Sequence, residues 1–395
     1  MESKTGALDG VVVVDLTHML AGPFATMMLA DLGATVIKIE RPGSGDAFRE
    51  GPPFVDEMSH QFAAVNRGKY SVALDIQTEQ GRELLLEIVR KADVLVNNFR
   101  PGKLDKLGLG SATLREMNPR LVYASITGFG RSGPMANKPA FDPVIQAQAG
   151  LMGLTGAPGG PPMRPGLSWA DLLGGVFCAQ GVMSALYQRE RSGLGQDVEI
   201  SMFDALFFML SYFVPYYQAS GTNPQPSGPF HQTLVPVGTY PTKDGHISLA
   251  PVTQSFWRAM CRGLGRPEWI EDARYAQPGA RQANKQLLWE EICAITVEKS
   301  TADWAEIMDR EDIPAGPIMK ISDLVEHPLV KSRQLLAHLG WGELSSPISP
   351  YRLSENPQSV RKRAPLVGED TFEVLSRFTG RQSDEIEALL ARDGK

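Results

Sequence analysis

Apolar residues along the first half of the chain gather in short runs, separated by longer stretches with helical spacing. Val11-Val-Val-Val-Asp15 reads as a buried strand. A loop to Gly22-Pro23 follows, then a helix over Phe24–Leu32 that Gly33-Ala34 ends. Further strands are predicted at Val36–Ile39, Ser71–Leu74, Asp93–Val96 and Leu121–Ile126, with helices over Gly81–Ala92 and Thr113–Met117. Strands that alternate with helices predict an α/β fold, a parallel sheet covered on both faces. A long helix is predicted after Asp171. Leu172, Val176, Met183, Leu186 and Tyr187 run along one side of it, while Gly174, Gly175, Ala179 and Gly181 leave room for close backbone contact.

The pattern changes after about residue 205. Ser220–Gly228 is polar and rich in turn residues, and reads as a linker. Two short strand patterns then flank Asp244-Gly245, which predicts a hairpin. Helical patterns follow at Gln254–Leu264, Asn284–Glu298 and Thr301–Arg310, and in the tail at Glu369–Phe378 and Ser383–Arg392. The predicted division is a large domain over residues 1–205, a linker over 206–228, a smaller α+β domain over 229–325, and a return segment over 326–395 that completes the large domain. A chain of 395 residues exceeds one typical core, which favours two domains.

Composition narrows the function. The formal net charge is −6 with no block of one sign, so nucleic acid is not an expected partner. Cys178, Cys261 and Cys293 lie far apart, which argues against disulfides and zinc. Met1-Glu-Ser-Lys-Thr-Gly-Ala7 has no apolar core and is not expected to be a signal peptide. No apolar run of about 18 residues is expected, and even Ala205–Val214 is far too short for a membrane span. The expectation is a cytoplasmic protein with no membrane partner.

The opening β-α-β pattern, with Glu40 ending its second strand, is Rossmann-like and invites a dinucleotide. That use needs GxGxxG in the first turn. The turn here is Leu16-Thr-His-Met-Leu-Ala-Gly-Pro23, with one glycine. No phosphate loop, GxSxG elbow or HExxH pair is present, and no metal is expected. What remains are polar residues just beyond predicted strands: His18, Glu40-Arg41, Asn98-Phe99-Arg100, Lys106 and, at a helix start, Asp171. Ligands of open α/β sheets bind at such strand ends. Cations beside an aromatic ring suit an anionic ligand with a flat base. The plainest readings are a solvated Arg41 and a helix-capping Asp171. An aspartate with the ordinary pKa of about 3.9 would also be an ionised nucleophile needing no activating base.

In order along the chain stand Leu8-Asp-Gly-Val-Val-Val-Val-Asp-Leu-Thr17, Ala21-Gly-Pro23, Leu29-Ala-Asp-Leu-Gly-Ala34 and Val36-Ile-Lys-Ile-Glu-Arg-Pro42 with Gly45-Asp46. Asn66-Arg-Gly-Lys69, Asn98-Phe-Arg-Pro-Gly102, Ser125-Ile-Thr-Gly-Phe-Gly130, Arg164-Pro-Gly166 with Asp171, and Asp244-Gly245 follow. With these the chain resembles the class III CoA-transferases of the CaiB/BaiF type, nearly end to end. The resemblance implies an interlocked homodimer and a transferase that moves coenzyme A, a co-substrate, from an acyl-CoA to a carboxylic acid. Succinyl-CoA and a short dicarboxylate are the implied pair. Asp171 would be the catalytic nucleophile, forming an aspartyl anhydride and then an aspartyl-CoA thioester. The implied coenzyme contacts are His18, Met19, Ala21, Arg41, Leu74, Ile76, Asn98, Phe99, Lys103, Lys106, Ala140 and Phe141.

Two positions depart from the family pattern. Pro139 stands where some members have lysine, with Lys138 alongside, and Pro226-Ser-Gly-Pro-Phe-His231 replaces a glycine-rich lid. The nearest alternative is an α-methylacyl-CoA racemase of the same superfamily, which pairs the aspartate with a histidine about thirty residues earlier. Phe141 stands there, and a phenyl ring carries no proton. A non-catalytic CoA-binding activator is the third possibility.

Overall fold

A computed structural model describes residues 6–357 and 360–390. The first five residues of the segment judged not to be a signal peptide, and the end of the tail helix expected to reach Arg392, lie outside the described residues.

The chain forms two compact units. Among the described residues the larger comprises 6–151, 164–219, 331–357 and 360–390, and the smaller 152–163 and 220–330. In the larger unit, six strands make one parallel sheet: β1 (Val12–Leu16), β2 (Thr35–Glu40), β3 (Lys69–Ala73), β4 (Val94–Asn97), β5 (Val122–Thr127) and β6 (Asp197–Ser201). Their order is β3-β2-β1-β4-β5-β6. This is the doubly wound arrangement in which strand order reverses between β1 and β4. Strand β6 was not foreseen. Asp197-Val-Glu-Ile-Ser201 is an edge strand whose polar residues leave it no apolar run.

Helices cover both faces. On one lie α1 (Ala21–Asp31), with the short α2 (His60–Asn66) against it, and α5 (Asp142–Gln148), α6 (Trp169–Ser192) and α7 (Met202–Met209), packed through Ala25, Met28, Val96, Ile126, Cys178 and Val182. On the other lie α3 (Glu79–Val89) and α4 (Ser111–Met117), packed through Leu84, Leu85, Ile88 and Leu114. Thr78 starts α3 by accepting the Gly81 amide at 3.0 Å. The tail closes the β3 edge. Ser71 N–H donates to Asp370 Oδ2 at 2.8 Å, and Val374, Leu375 and Phe378 join the core below. An otherwise open strand edge is thereby covered.

Helix α1 begins at Ala21, before the predicted Phe24, with Pro23 in its first turn, where no amide is needed. Helix α6 crosses it closely. A side chain at Gly175 would put a Cβ 2.7 Å from the Ala21 carbonyl oxygen. That approach sets the start of α6 beside the loop after β1. By length and composition α6 could also cross a membrane, contrary to the expectation that no such stretch exists. Leu172, Leu173, Val176, Phe177 and Val182 raise its hydropathy, broken up by glycines and polar residues, and its small-residue face is buried against the core.

The expected linker over 206–228 is corrected by helices Met202–Met209 and Phe213–Ser220, whose apolar residues extend the larger unit through 219. Residues 152–163, assigned to the large domain, join the smaller unit, where Gly228 N–H donates to the Gly156 carbonyl at 3.0 Å. In that unit Gly238–Pro241 and His246–Leu249 form the hairpin, and Ala315–Pro317 adds a third strand. Trp257, Trp304, Tyr240 and Tyr275 fill its core.

Candidate functional site

Strands β1, β4 and β5 end at the same edge, where the sheet order reverses. The loops that follow them line a cavity of about 370 Å³ within the larger unit. The loop after β1 brings His18, Met19 and Ala21. The loop after β4 brings Asn98, Phe99 and Arg100. Thr127 ends β5, Gly128, Lys138, Ala140, Phe141 and Asp142 follow it, and Arg164, Ser168 and Asp171 arrive with the start of α6. Gly128 has to be small here, because a Cβ on it would lie 2.1 Å from the Ala140 Cβ.

Charges buried beneath the first loop hold it. Asp15, fully buried on β1, pairs with Lys69 at 2.9 Å and accepts from the Thr26 hydroxyl at 2.7 Å. Lys38 pairs with Asp46 at 2.9 Å and donates to the Thr17 carbonyl at 2.7 Å. Burial opposes the charge on Lys38, but Asp15, Asp46 and Glu40 together outweigh it and raise its pKa. Asp46 accepts the Met19 amide at 3.0 Å, which helps hold Met19 at φ +65, a conformation few non-glycine residues adopt. Asn98 grips the neighbouring backbone twice, accepting from His18 N–H at 3.0 Å and donating to the His18 carbonyl at 2.8 Å. The His18 ring lies 5.5 Å from Phe99. Crowding by the cavity wall lowers the His18 pKa although the residue as a whole is exposed, so its imidazole is neutral at neutral pH.

Asp171 is the third residue of α6, in its first turn. It is not the cap. Ser168 occupies that position without capping, and Asp142 from α5 accepts the Ala170 amide at 3.0 Å. Gln146 Nε2 and Arg164 Nη2 donate to the other Asp142 oxygen at 2.6 and 3.2 Å. No protein donor among the described residues holds the Asp171 carboxylate. Burial, and then the charge of Asp142, push its pKa up to about 7, and Arg164 only partly offsets them. The expected ordinary value near 3.9 is thus corrected. The helix terminus contributes about 0.3–1 kcal/mol, too little to balance desolvation beside a second carboxylate.

The expected contacts divide between two cavities. His18, Met19, Ala21, Asn98, Phe99, Ala140 and Phe141 line the cavity that holds Asp171. Arg41, Leu74, Ile76 and Lys103 line a smaller one of about 120 Å³, and Phe99 lines both. Lys106 lines neither, being exposed one turn beyond Lys103. Lys138, and not Pro139, lines the main cavity. Phe99 stands between the two cavities: Arg41 and Lys103 offer cations in the smaller one, and Asp171 lies in the larger. Sequence reasoning gave no role to Asp142, Arg164 or the Asp15–Lys69 and Lys38–Asp46 pairs. Phe141-Asp142-Pro143 carried a usable signal, an acidic residue next to a proline at a helix start. The buried lysines carried none, because in sequence they look like surface residues.

CoA-transferase family III matches residues 8–371. Acetyl-CoA:oxalate CoA-transferase of Acetobacter aceti is 38% identical over 376 residues, covering 94% of this chain and 96% of its own. Succinyl-CoA:mesaconate CoA-transferase of Haloarcula hispanica is also 38% identical, over 391 residues and the same shares of the two chains. The crystal structure of a CAIB/BAIF family protein from Brucella suis aligns with a TM-score of 0.88 at 35% identity, over 95% of this chain and all of its own.

Proposed function

For a chain that belongs to CoA-transferase family III, and is therefore an acyl-CoA:carboxylate CoA-transferase, we propose that Asp171 carries the coenzyme between a succinyl-CoA-type donor and a short dicarboxylic acid. The observation that carries this reading is the unheld carboxylate of Asp171, raised to a pKa of about 7 and facing a cavity walled by the strand-end loops. A carboxylate of that basicity is a stronger nucleophile than an ordinary aspartate, yet about half ionised at neutral pH.

The covalent sequence exchanges one acyl bond at each step. Asp171 Oδ attacks the thioester carbonyl, forming an anhydride and expelling CoA thiolate. The thiolate attacks the Asp171 carbonyl, and the first acid leaves with the bridging oxygen. The second acid's carboxylate attacks the aspartyl thioester, giving a new anhydride and freeing thiolate again. The thiolate takes the new acyl group, and Asp171 is regenerated with one oxygen from the acceptor. No net proton or electron moves, so neither a base nor ATP is needed. The relatives named for oxalate and mesaconate support a dicarboxylate acceptor. We further propose a homodimer, since Phe208 and Tyr212, 67% and 62% exposed, offer an apolar surface for a second copy to cover.

The test is a matrix of acyl-CoA donors against acids, read by mass spectrometry, with a 2-methylacyl-CoA in deuterium oxide alongside. CoA should pass most readily to short dicarboxylates, and the α-carbon should take up no label. Racemisation needs an acid/base group on each face of that carbon, and Phe141, 67% exposed at the cavity, supplies none. Rapid α-deuteration without acceptor-dependent transfer would overturn the reading in favour of the racemase.

Arg41 is proposed to hold a coenzyme phosphate from the smaller cavity. A charged hydrogen bond contributes about 1.5–3 kcal/mol, so Arg41→Ala should weaken CoA binding about ten- to a hundredfold by calorimetry. Unchanged affinity would return Arg41 to the solvated surface.

A further inference from the structure

The cavity presents a charge problem to a dicarboxylic acid. One of its carboxylates must reach Asp171 and react. The other brings a further negative charge into a space already lined by Asp171 and Asp142. Without a cation, that second carboxylate would lose water and meet repulsion together.

Four cationic or titratable nitrogen groups line the cavity: His18, Arg100, Lys138 and Arg164. His18 is held below its ordinary pKa, chiefly by burial, and is neutral at neutral pH. Of the other three, Arg164 is tied to the start of α6: its Nη2 donates to Asp142 Oδ2 and to Ser168 Oγ, and the other Asp142 oxygen accepts the amide of Ala170, the residue before Asp171. Its side chain is 44% exposed, so it is open to a ligand. Its hydrogen bonds, to Asp142 Oδ2 and Ser168 Oγ at 3.2 Å each, both use Nη2. Nη1 and Nε have no protein acceptor among the described residues. Asp142 and Ser168 share the Nη2 corner and fix the guanidinium in place, and Nη1 is left to donate a charged hydrogen bond to a carboxylate.

We infer that Arg164 binds the second carboxylate of the acceptor and sets a preference for dicarboxylic over monocarboxylic acids of the same length. This rests on the proposed dicarboxylate reading and adds the residue that enforces it. Arg164 has two effects that must be separated. It eases ionisation of Asp171 for every acceptor, whereas pairing with a second carboxylate serves diacids alone.

The experiment compares glutarate with pentanoate as acceptors, with succinyl-CoA as donor, in the wild type, Arg164→Met and Arg164→Lys. The ratio of the two kcat/KM values cancels any change in Asp171, which both acids share. The wild type should favour glutarate. In Arg164→Met that preference should fall at least tenfold, the loss of one charged hydrogen-bonded pair. Arg164→Lys should restore part of it, since an ammonium keeps the charge and a donor but not the position of the guanidinium that Asp142 and Ser168 fix. A wild-type preference that survives both substitutions, with the two acids declining in parallel, would overturn the inference and leave the dicarboxylate reading standing. A wild type indifferent to the second carboxylate would overturn both.

Discussion

Replacing Asp171 by alanine should lower CoA transfer by about 10⁴-fold or more, the scale of loss when a covalent nucleophile is removed. CoA should still bind. The proposed coenzyme contacts Arg41, Leu74, Ile76 and Lys103 line a separate cavity, and Phe99 is the wall the two cavities share. Asp171→Asn should be equally inactive, because an amide keeps the shape but cannot form the anhydride. No neighbouring group offers a substitute. Asp142, the nearest carboxylate, is occupied by the Ala170 amide, Gln146 and Arg164. A single-turnover measurement with stoichiometric enzyme checks this. Transfer in the alanine variant within a factor of ten of wild type would show that the acids react directly.

The pH dependence should show the environment of the same carboxylate. With Asp171 raised to about 7 by burial and by Asp142, kcat/KM should fall on the acid side with an apparent pKa near 7. At pH 6 about a tenth of the enzyme would be active. An unperturbed aspartate would leave the rate flat down to about pH 4. Asp142→Asn should shift that limb to lower pH. The asparagine can still accept the Ala170 amide, the like charge is gone, and Arg164 is freed to act on Asp171 alone. Stability should move the opposite way to activity. The folded state holds a proton on Asp171 that the unfolded state releases near 3.8. Ionisation therefore costs folding stability as pH rises from about 4 through 7, and the full cost stands above 7. Asp171→Asn should therefore be more stable than wild type at pH 8, by at most about 4 kcal/mol, melt at a higher temperature there, and lose that advantage toward pH 4. A limb near pH 4, with equal melting of the two proteins at pH 8, would contradict the raised pKa.

Much of the fold is legible in the chain because its signals are local. The valines of β1, the apolar run of β4 and the helical spacing of α3 each define one element, and alternation of strands and helices dictates a parallel sheet. Strand β6 escapes because an edge strand needs little apolar surface, and its Asp197 and Glu199 resemble a loop. Residues 152–163 escape because Gly156-Ala-Pro-Gly-Gly-Pro-Pro162 has no pattern that assigns it to either unit. The site is legible where its residues sit at strand ends, as His18, Arg41 and Asn98 do. Its electrostatics are not. Asp15, Lys38 and Lys69 look like solvated charges in sequence, and only the packing of three strands and α1 turns them into a buried network under the Met19 loop. Asp171 is the sharpest case. Local propensity calls for an ionised residue at a helix start, and the fold instead buries it beside Asp142. Sites where local preference and global packing disagree in this way are where function is expected.

The covalent role of Asp171 is tested most directly by trapping. The protein is incubated with succinyl-CoA and hydroxylamine, digested, and its peptides are mapped by mass spectrometry. Hydroxylamine should cleave the activated aspartyl group and leave a hydroxamate on Asp171 alone, only when the acyl-CoA is present, with activity lost in proportion. A hydroxamate on Asp142 or any other carboxylate, or full transfer activity with Asp171 unmodified, would contradict the assignment.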